Sequence, residues 1–263
     1  MASQTLIRPP EPGGPGAPPG ETAALLDALS AVGPRALTAC PGWSAQHIAA
    51  HIAGNHQEAR RHVEAHAEER PLSTTRTFEE REAPLLRMRF GALLGLIEAE
   101  ESALRAAVDA VVAGDGAAEL HWTGRTVRIG GFPTHMRSES AVHRWDIMGD
   151  DEVSWRLLAQ PELLAHAVGF IGTPLLVKGL AGARAPFSGR VRSPGADDLL
   201  VSVERGREPR LEVTRPLGPA AVECDAAARL LLLWGRKAQP FHRLRADVDD
   251  ATVERLQQVL AGY

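Results

Sequence analysis

Three side chains that are far apart in the sequence could bind one divalent metal ion. Glu139 and His143 are four residues apart, and side chains at this spacing lie on the same face of an α-helix, about 5–6 Å from each other. The carboxylate and the imidazole could therefore point at one ion, and His51, on another predicted helix, would supply the third ligand. Two histidines and one carboxylate leave a coordination position open, which is typical of a catalytic site. The set therefore predicts a metal enzyme.

Other polar residues have a weaker case as ligands. His62 and His66 share the four-residue spacing but have no partner motif, so a solvated helix face is the favoured interpretation. His56, His121 and His135 are interpreted as bystanders, although His135 lies one helical turn before Glu139 and an orienting role is its alternative. Asp146, one turn after His143, could orient that ligand or make a structural bond. Cys40 is interpreted as a small buried residue at a helix entry, with a thiol near the mouth of the site as the alternative.

Four predicted helices would position the ligands. The second follows an N-cap at Ser44, and the fourth, which carries Glu139 and His143, opens at Pro133. Alternation over His121–Ile129 predicts a hairpin or an extended segment before the fourth helix. Short connections favour an antiparallel bundle, whose core is a natural place for ligands from facing helices. The first three helices are predicted from Glu21 to Gly33, over Ala45–Glu69, and over Thr77–Ala113 with a possible break.

The sequence pattern changes after about Asp150. A helix is predicted over Pro161–Lys178, and later helices are predicted from an Asp225 cap to Gly235 and from Asp249 or Asp250 through Leu260. Strand-like alternation occurs over Phe187–Arg192, Leu199–Glu204 and Leu211–Thr214. The predicted fold class is α+β, with a four-helix bundle over residues 21–150 and a smaller α+β domain over residues 151–263. The Pro- and Gly-rich residues 1–20 are predicted to be a disordered tail.

Composition argues against several classes of function. The net charge of −4 and the mixing of Arg with Asp and Glu argue against nucleic-acid binding. No stretch approaches the roughly 18 continuous apolar residues of a membrane span, and no P-loop or GxGxxG fingerprint is present. Cys40 and Cys224 do not form a disulfide framework, so a reducing cytoplasm is the expected location. Abundant Arg and Ala with only two Lys indicate a GC-rich genome, as in actinobacteria.

Several motifs resemble those of the mycothiol-dependent maleylpyruvate isomerase family, which belongs to the DinB-like metal-binding bundles. The resemblance covers nearly the whole chain after residue 20, including a Leu-rich helix that ends in Gly235-Arg236, like the one that closes the family's sterol-carrier-like C-terminal domain. The motifs in the bundle are Cys40-Pro41-Gly42-Trp43-Ser44, Ala50-His51-Ile52-Ala53-Gly54, Trp122-Thr123-Gly124-Arg125, Glu139–His143 and Trp145-Asp146.

The resemblance implies zinc at His51, Glu139 and His143, with the fourth position taken by a thiolate or water. It also implies that Arg236 contacts an anionic group of the substrate or of the thiol cofactor. A cation that complements the end of a helix is an equally weighted interpretation of Arg236. The chain departs from the family pattern at His47, where an acidic residue is common, so the orientation of His51 could differ here.

The implied function is a zinc- and mycothiol-dependent enzyme acting on a small electrophile. A zinc-bound thiolate would add to a conjugated double bond; elimination after rotation gives an isomerase, and retention of the adduct gives an S-transferase. Two alternatives stay open. One is a metal hydrolase; no motif places a carboxylate as its general base, and Glu58, on the same helix face as His51, is the candidate that is left. The other is a non-catalytic module that binds a small molecule. The substrate is not predicted, and the expected assembly is a monomer or homodimer.

Overall fold

The structure is a computed structural model that describes residues 20–71, 74–171, 186–205, 207, 209–236, 244–245 and 250–260. The predicted tail of residues 1–20 lies outside this part of the chain, except for Gly20, which begins the first helix. Nine α-helices and two sheets are present among the described residues, which confirms the α+β class. None of the helices there is both long enough and apolar enough to cross a membrane.

The N-terminal region is a bundle of four long helices, as predicted. Helix α2 packs against α4 and α5, and α1 packs against α5. Leu, Ile and Ala side chains spaced three and four residues apart give α1, α2 and α4 a common apolar core. The four helices are α1 (Gly20–Val32), α2 (Ala45–Ala67), α4 (Phe90–Gly114) and α5 (Phe132–Met148).

The predicted break in the third helix is present and produces a separate short helix, α3 (Phe78–Glu82). Thr77 caps α3: its Oγ1 accepts from the Glu80 amide at 3.2 Å, and the Glu80 carboxylate accepts from the Thr77 amide at 2.7 Å. A short 3₁₀ turn, Leu85–Arg87, separates α3 from α4. This break turns the chain back across α2, so that α3 lies beside the middle of the bundle.

The alternating segment before α5 is a two-stranded hairpin, β1 (Glu119–Trp122) and β2 (Arg125–Arg128). Its turn places Thr123 and Gly124 at positive φ, 46° and 85°, as expected for a two-residue hairpin loop. Buried residues of the hairpin join α2, α4 and α5 in a second apolar core. The hairpin therefore closes the end of the bundle before the chain enters α5.

Beyond the bundle, the helical prediction was partly wrong. A helix that was not predicted, α6 (Glu152–Leu158), follows α5 because Asp151 caps it, accepting from the Ser154 amide at 2.7 Å. Within the described residues, the helix predicted over Pro161–Lys178 begins as α7 (Pro161–His166) and continues into a π-helical segment, Ala167–Ile171. The remainder of that prediction lies outside the described residues.

The second sheet has five strands in the order β5-β4-β3-β6-β7. Strands β3 and β6 are parallel, and the other neighbours are antiparallel. The strands are β3 (Phe187–Arg192), β4 (Asp198–Val203), β5 (Arg210–Thr214), β6 (Val222–Cys224) and β7 (Leu244–Arg245). Three of them were predicted within one residue at each end, whereas β6 and β7 are too short to give a period-two signal.

Two helices close the second region, α8 (Ala226–Leu233) and α9 (Asp250–Val259). As predicted, Asp225 caps α8, and Gly235 follows it at φ 71°. One apolar core contains buried residues of this sheet, of α6 to α9, and of α5. Because α5 contributes to the bundle and to this core, it connects the two parts of the molecule.

Candidate metal centre

The three predicted ligands meet between α2 and α5. Glu139 Oε2 lies 3.4 Å from Nε2 of His143 and 3.7 Å from Nε2 of His51. One ligand atom from each residue lies within 4.8 Å of the others, and the three side chains are 2–4% exposed. The structure therefore brings together two imidazole nitrogens and one carboxylate oxygen at a single buried point, as the sequence predicts.

Each histidine of this site is oriented by a second carboxylate. Nδ1 of His51 lies 2.8 Å from Glu82 Oε1, and Nδ1 of His143 lies 2.8 Å from Asp146 Oδ2. A carboxylate at Nδ1 favours a proton there, which leaves Nε2 as the nitrogen that can bind a metal. This pattern of carboxylate, histidine and metal is common in zinc sites.

Sequence reasoning missed Glu82. It lies on α3, 31 residues from His51, and their contact depends on how the break before α4 folds back over α2. The departure at His47 has a local explanation, because Nδ1 of His47 accepts from the Ser44 amide at 3.2 Å, as a Glu or Gln does in a capping box. His47 thus serves the N-terminus of α2, and Glu82 orients His51.

Arg236 reaches the site from the end of α8 and binds Asp146. Its Nε and Nη2 donate to the two Asp146 oxygens at 3.0 and 2.6 Å, a bidentate pair. Nη1 donates to the Trp234 carbonyl, and Nη2 lies 3.8 Å from the Cys40 sulfur. Arg236 therefore holds the carboxylate that orients His143. The predicted direct contact of Arg236 with an anionic ligand stays a prediction.

Cys40 lies at the edge of the site and is half-buried. Its Sγ is 3.2 Å from Asp146 Oδ2, and Cys40, His143 and Asp146 form a second group with metal-ligand spacing. The Arg236 guanidinium against the same carboxylate adds a positive charge that disfavours a cation at this second group. The set of His51, Glu139 and His143 is the better metal site.

The carboxylates of the site lie beside cationic side chains, which shift their pKa values. Burial opposes ionisation of Glu139, but His143 and His51 outweigh it and hold the pKa of this carboxyl well below its usual range. Burial likewise opposes ionisation of Asp146, and the Arg236 charge together with His143 keeps its pKa low. For His143, burial lowers the pKa, but Asp146, Cys40 and Glu139 raise it well above 6.5. A bound cation would replace the proton of His143.

Two more buried histidines lie on the side of Glu139 that carries Oε1. Nε2 of His135 lies 3.6 Å from Glu139 Oε1, and its Nδ1 lies 3.1 Å from Nε2 of His166 on α7. The His135 ring also stacks on Trp234, with ring centroids 5.9 Å apart and an interplanar angle of 22°. Burial lowers the pKa of His135 to about 4 and that of His166 to about 2, so both rings are neutral at neutral pH.

Aromatic side chains line the outer edge of the site. The Trp43 ring stacks on His143 at 6.0 Å and lies 5.0 Å from His51. Phe78, half exposed at the start of α3, meets the other side of His51 edge-on at 5.3 Å. Asn55, one turn along α2, contacts Nε2 of His51 at 3.0 Å. Two aromatic rings, Trp43 and Phe78, thus lie against His51.

The remaining histidine candidates on α2 belong to a different network. His62 lies 3.3 Å from Glu58, whose fully buried carboxylate also binds Arg61 and Arg76. Burial opposes ionisation of Glu58, but these three groups keep its pKa far below its usual range. No cluster with metal-ligand spacing includes His62 or His66 among the described residues, as expected. The solvated face predicted for this pair is wrong for His62, which is 2% exposed because its ring packs beside Glu58 and Trp122.

Comparison with known proteins agrees with the arrangement. The sequence model described as the mycothiol maleylpyruvate isomerase N-terminal domain matches residues 20–148. Two crystal structures of the mycothiol-dependent maleylpyruvate isomerase, one of them of a mutant with one histidine changed to alanine, match with a TM-score of 0.57 and 19% identity, over 86% of this chain and 88% of theirs. None of the curated protein sequences matches the chain. The bundle that holds the candidate metal site thus belongs to the mycothiol maleylpyruvate isomerase N-terminal domain family.

Proposed function

We propose that the protein is a zinc- and mycothiol-dependent enzyme that acts on a small electrophile, as an isomerase or an S-transferase. The observation that carries the proposal is the convergence of Nε2 of His51, Nε2 of His143 and Oε2 of Glu139. The family match of the bundle and the fold shared with a mycothiol-dependent isomerase support the thiol cofactor.

The donor set fits zinc. Zinc takes imidazole nitrogens and carboxylate oxygens in tetrahedral sites, and three protein ligands leave the fourth position for a reacting group. The Nδ1 atoms of both histidines face carboxylates, so each Nε2 can offer a lone pair to an ion. Zinc, when bound, would stabilise the thiolate form of the cofactor thiol at neutral pH and so supply a nucleophile.

The chain's own residues would orient the site and restrict water. Glu82 and Asp146 fix the two imidazole rings, and Arg236 fixes Asp146 from the second region of the molecule. Trp43 and Phe78 lie beside His51 and would offer flat apolar faces to a substrate or to the cofactor. We assign Arg236 a positioning role, because three of its nitrogens are already bound to protein groups.

The hydrolase alternative loses support from the position of Glu58. A general base must reach the reacting water, but the Glu58 carboxylate is buried and holds Arg61 and Arg76 at 2.5 and 2.6 Å. It lies seven residues beyond His51, about 10 Å along α2. Glu58 is therefore a structural anchor for the segment before α3.

Metal content and mycothiol binding, measured on one preparation, test the proposal. We expect one zinc per chain by elemental analysis and calorimetric binding of mycothiol, with both lost in His51→Ala. His62→Ala, which removes a buried histidine of the same helix, should keep both. Metal without mycothiol binding would favour a hydrolase, and the absence of both would leave a binding module or a scaffold.

A further inference from the structure

The two oxygens of the Glu139 carboxylate have different surroundings. Oε2 faces Nε2 of His51 and of His143, whereas Oε1 faces Nε2 of His135 at 3.6 Å. The Glu139 side chain is 2% exposed, so water does not solvate Oε1 freely. A buried carboxylate oxygen needs a donor, and His135 is placed to supply one.

The neighbours of His135 determine which of its nitrogens carries the proton. A carboxylate favours an N–H over a lone pair, so the proton belongs on Nε2, toward Glu139. Nδ1 of the neutral His135 ring must then accept, and the atom facing it, Nε2 of His166 at 3.1 Å, must donate. The chain of donors therefore runs from His166 to His135 to Glu139.

We propose that His135 is a positioning residue for the metal-ligating carboxylate, and that His166 and Trp234 hold its ring in place. His166 lies on α7, and Trp234 ends α8, so both supports come from outside the bundle. With Oε1 turned toward Nε2 of His135, 3.6 Å away, Glu139 would offer its other oxygen, Oε2, to a metal. The carboxylate then occupies one coordination position, and the position for the thiol stays open.

The inference rests on the proposed metal site but not on the reaction, so its test is metal affinity. Zinc dissociation constants would be measured by chelator competition on the full chain. His135→Phe keeps the stack on Trp234 and removes the donor; we expect zinc to bind about 10- to 100-fold more weakly. His135→Gln, whose amide can donate to Oε1, should recover most of the affinity.

His166→Phe removes the donor to Nδ1 of His135 and keeps an aromatic ring beside it. It should weaken zinc binding by a smaller factor, and the double variant should bind no more weakly than His135→Phe, since both changes act through one chain of bonds. Cobalt substitution gives a second readout: a carboxylate freed to bind through both oxygens raises the coordination number and weakens the visible cobalt bands.

His62→Phe is the matched control. His62 is also a buried histidine that contacts a carboxylate, Glu58, and meets a tryptophan ring, Trp122. It should leave the zinc constant and the cobalt spectrum unchanged. If His135→Phe and His166→Phe both bind zinc with wild-type affinity, the inference is wrong and the proposed function still stands. A wild-type chain that binds no zinc or cobalt would overturn the proposed function and the inference with it.

Discussion

At the scale of single residues, the two nitrogens of each histidine in the site have different roles. One nitrogen of His51 and of His143 faces a carboxylate, and the other faces Glu139. Glu82 and Asp146 thereby fix the ring orientation and increase the basicity of the ligating nitrogen. Their removal should weaken the metal site without touching a ligand.

Glu82→Gln tests this directly. The amide keeps the size of the side chain but loses the charge beside Nδ1 of His51, so we expect zinc affinity to fall about 10- to 100-fold in chelator competition. Glu79→Gln is the control, because Glu79 is an exposed carboxylate on the same short helix. Equal zinc constants for the two variants would show that Glu82 does not orient His51.

His56 gives a pH prediction that is independent of the metal. Burial lowers its pKa to about 4, against about 6.5 in an unfolded chain. Between these values the unfolded chain binds the additional proton, so the free energy of unfolding decreases as the pH falls from about 6.5 to about 4. In His56→Leu this decrease should be smaller by about 3 kcal/mol. The free energy of unfolding would be measured by denaturant titration at both pH values, with a chelator present. An equal decrease in the wild type and in His56→Leu would refute the lowered pKa of His56.

The convergence of His51, Glu139 and His143 could be predicted from the sequence, whereas only part of their surroundings could. Glu139 and His143 share a helix, so their spacing alone brings them together, and His51 follows from the motif at the start of α2. Glu82 and His166 meet the site through packing of distant segments, and no local pattern encodes that contact.

At the scale of elements, the short helix α3 matters most, because it carries Glu82 and Phe78 to the opening of the site. A five-residue helix is too short to be stable by itself. It depends on the reciprocal cap between Thr77 and Glu80 and on the packing of Arg81 over the Phe78 ring at 4.7 Å.

Thr77→Ala should therefore weaken the metal site from a distance. Loss of an N-cap costs about 1 kcal/mol, and in so short a helix this should unsettle Glu82 and reduce zinc affinity several-fold. Thr77→Ser, which keeps the cap, should behave like the wild type. Amide hydrogen exchange would measure the stability of α3, and zinc titration would measure the affinity of the site. Faster exchange in α3 with unchanged zinc affinity would show that the metal site does not depend on α3.

Helices and strands were predicted correctly where their apolar pattern extends over many residues. The four bundle helices give clear 3.6-residue patterns, and a cap, a break or a hairpin turn marks their limits. Helix α6 and strands β6 and β7 are only seven, three and two residues long, so they contain too few turns or alternations to be read.

At the scale of the whole molecule, helix α5 joins the two regions around the site. One side of α5 carries Glu139 and His143 into the bundle, and Val142 and Trp145 join the core of the second region. Arg236 and Trp234, after α8, contact Asp146 and His135 of the same helix. The second region should therefore influence metal affinity, although none of the three proposed ligands lies in it.

Arg236→Lys should show this influence. Lysine keeps the charge but cannot form the bidentate pair with Asp146, so we expect about a tenfold loss of zinc affinity. Arg144→Lys is the matched control, since Arg144 is also buried on α5 and binds Asp151 with two nitrogens, at 2.7 and 2.9 Å. An equal loss in both variants would indicate general destabilisation of α5 and would contradict the positioning role of Arg236.

The most direct test of the central claim is X-ray absorption at the zinc edge of the full chain, before and after mycothiol is added. The account predicts only nitrogen and oxygen ligands before addition, and one new sulfur at about 2.3 Å afterwards. Sulfur that is present beforehand and disappears in Cys40→Ser would place the metal at the group of Cys40, His143 and Asp146. No sulfur after mycothiol addition would contradict thiolate binding at the open position.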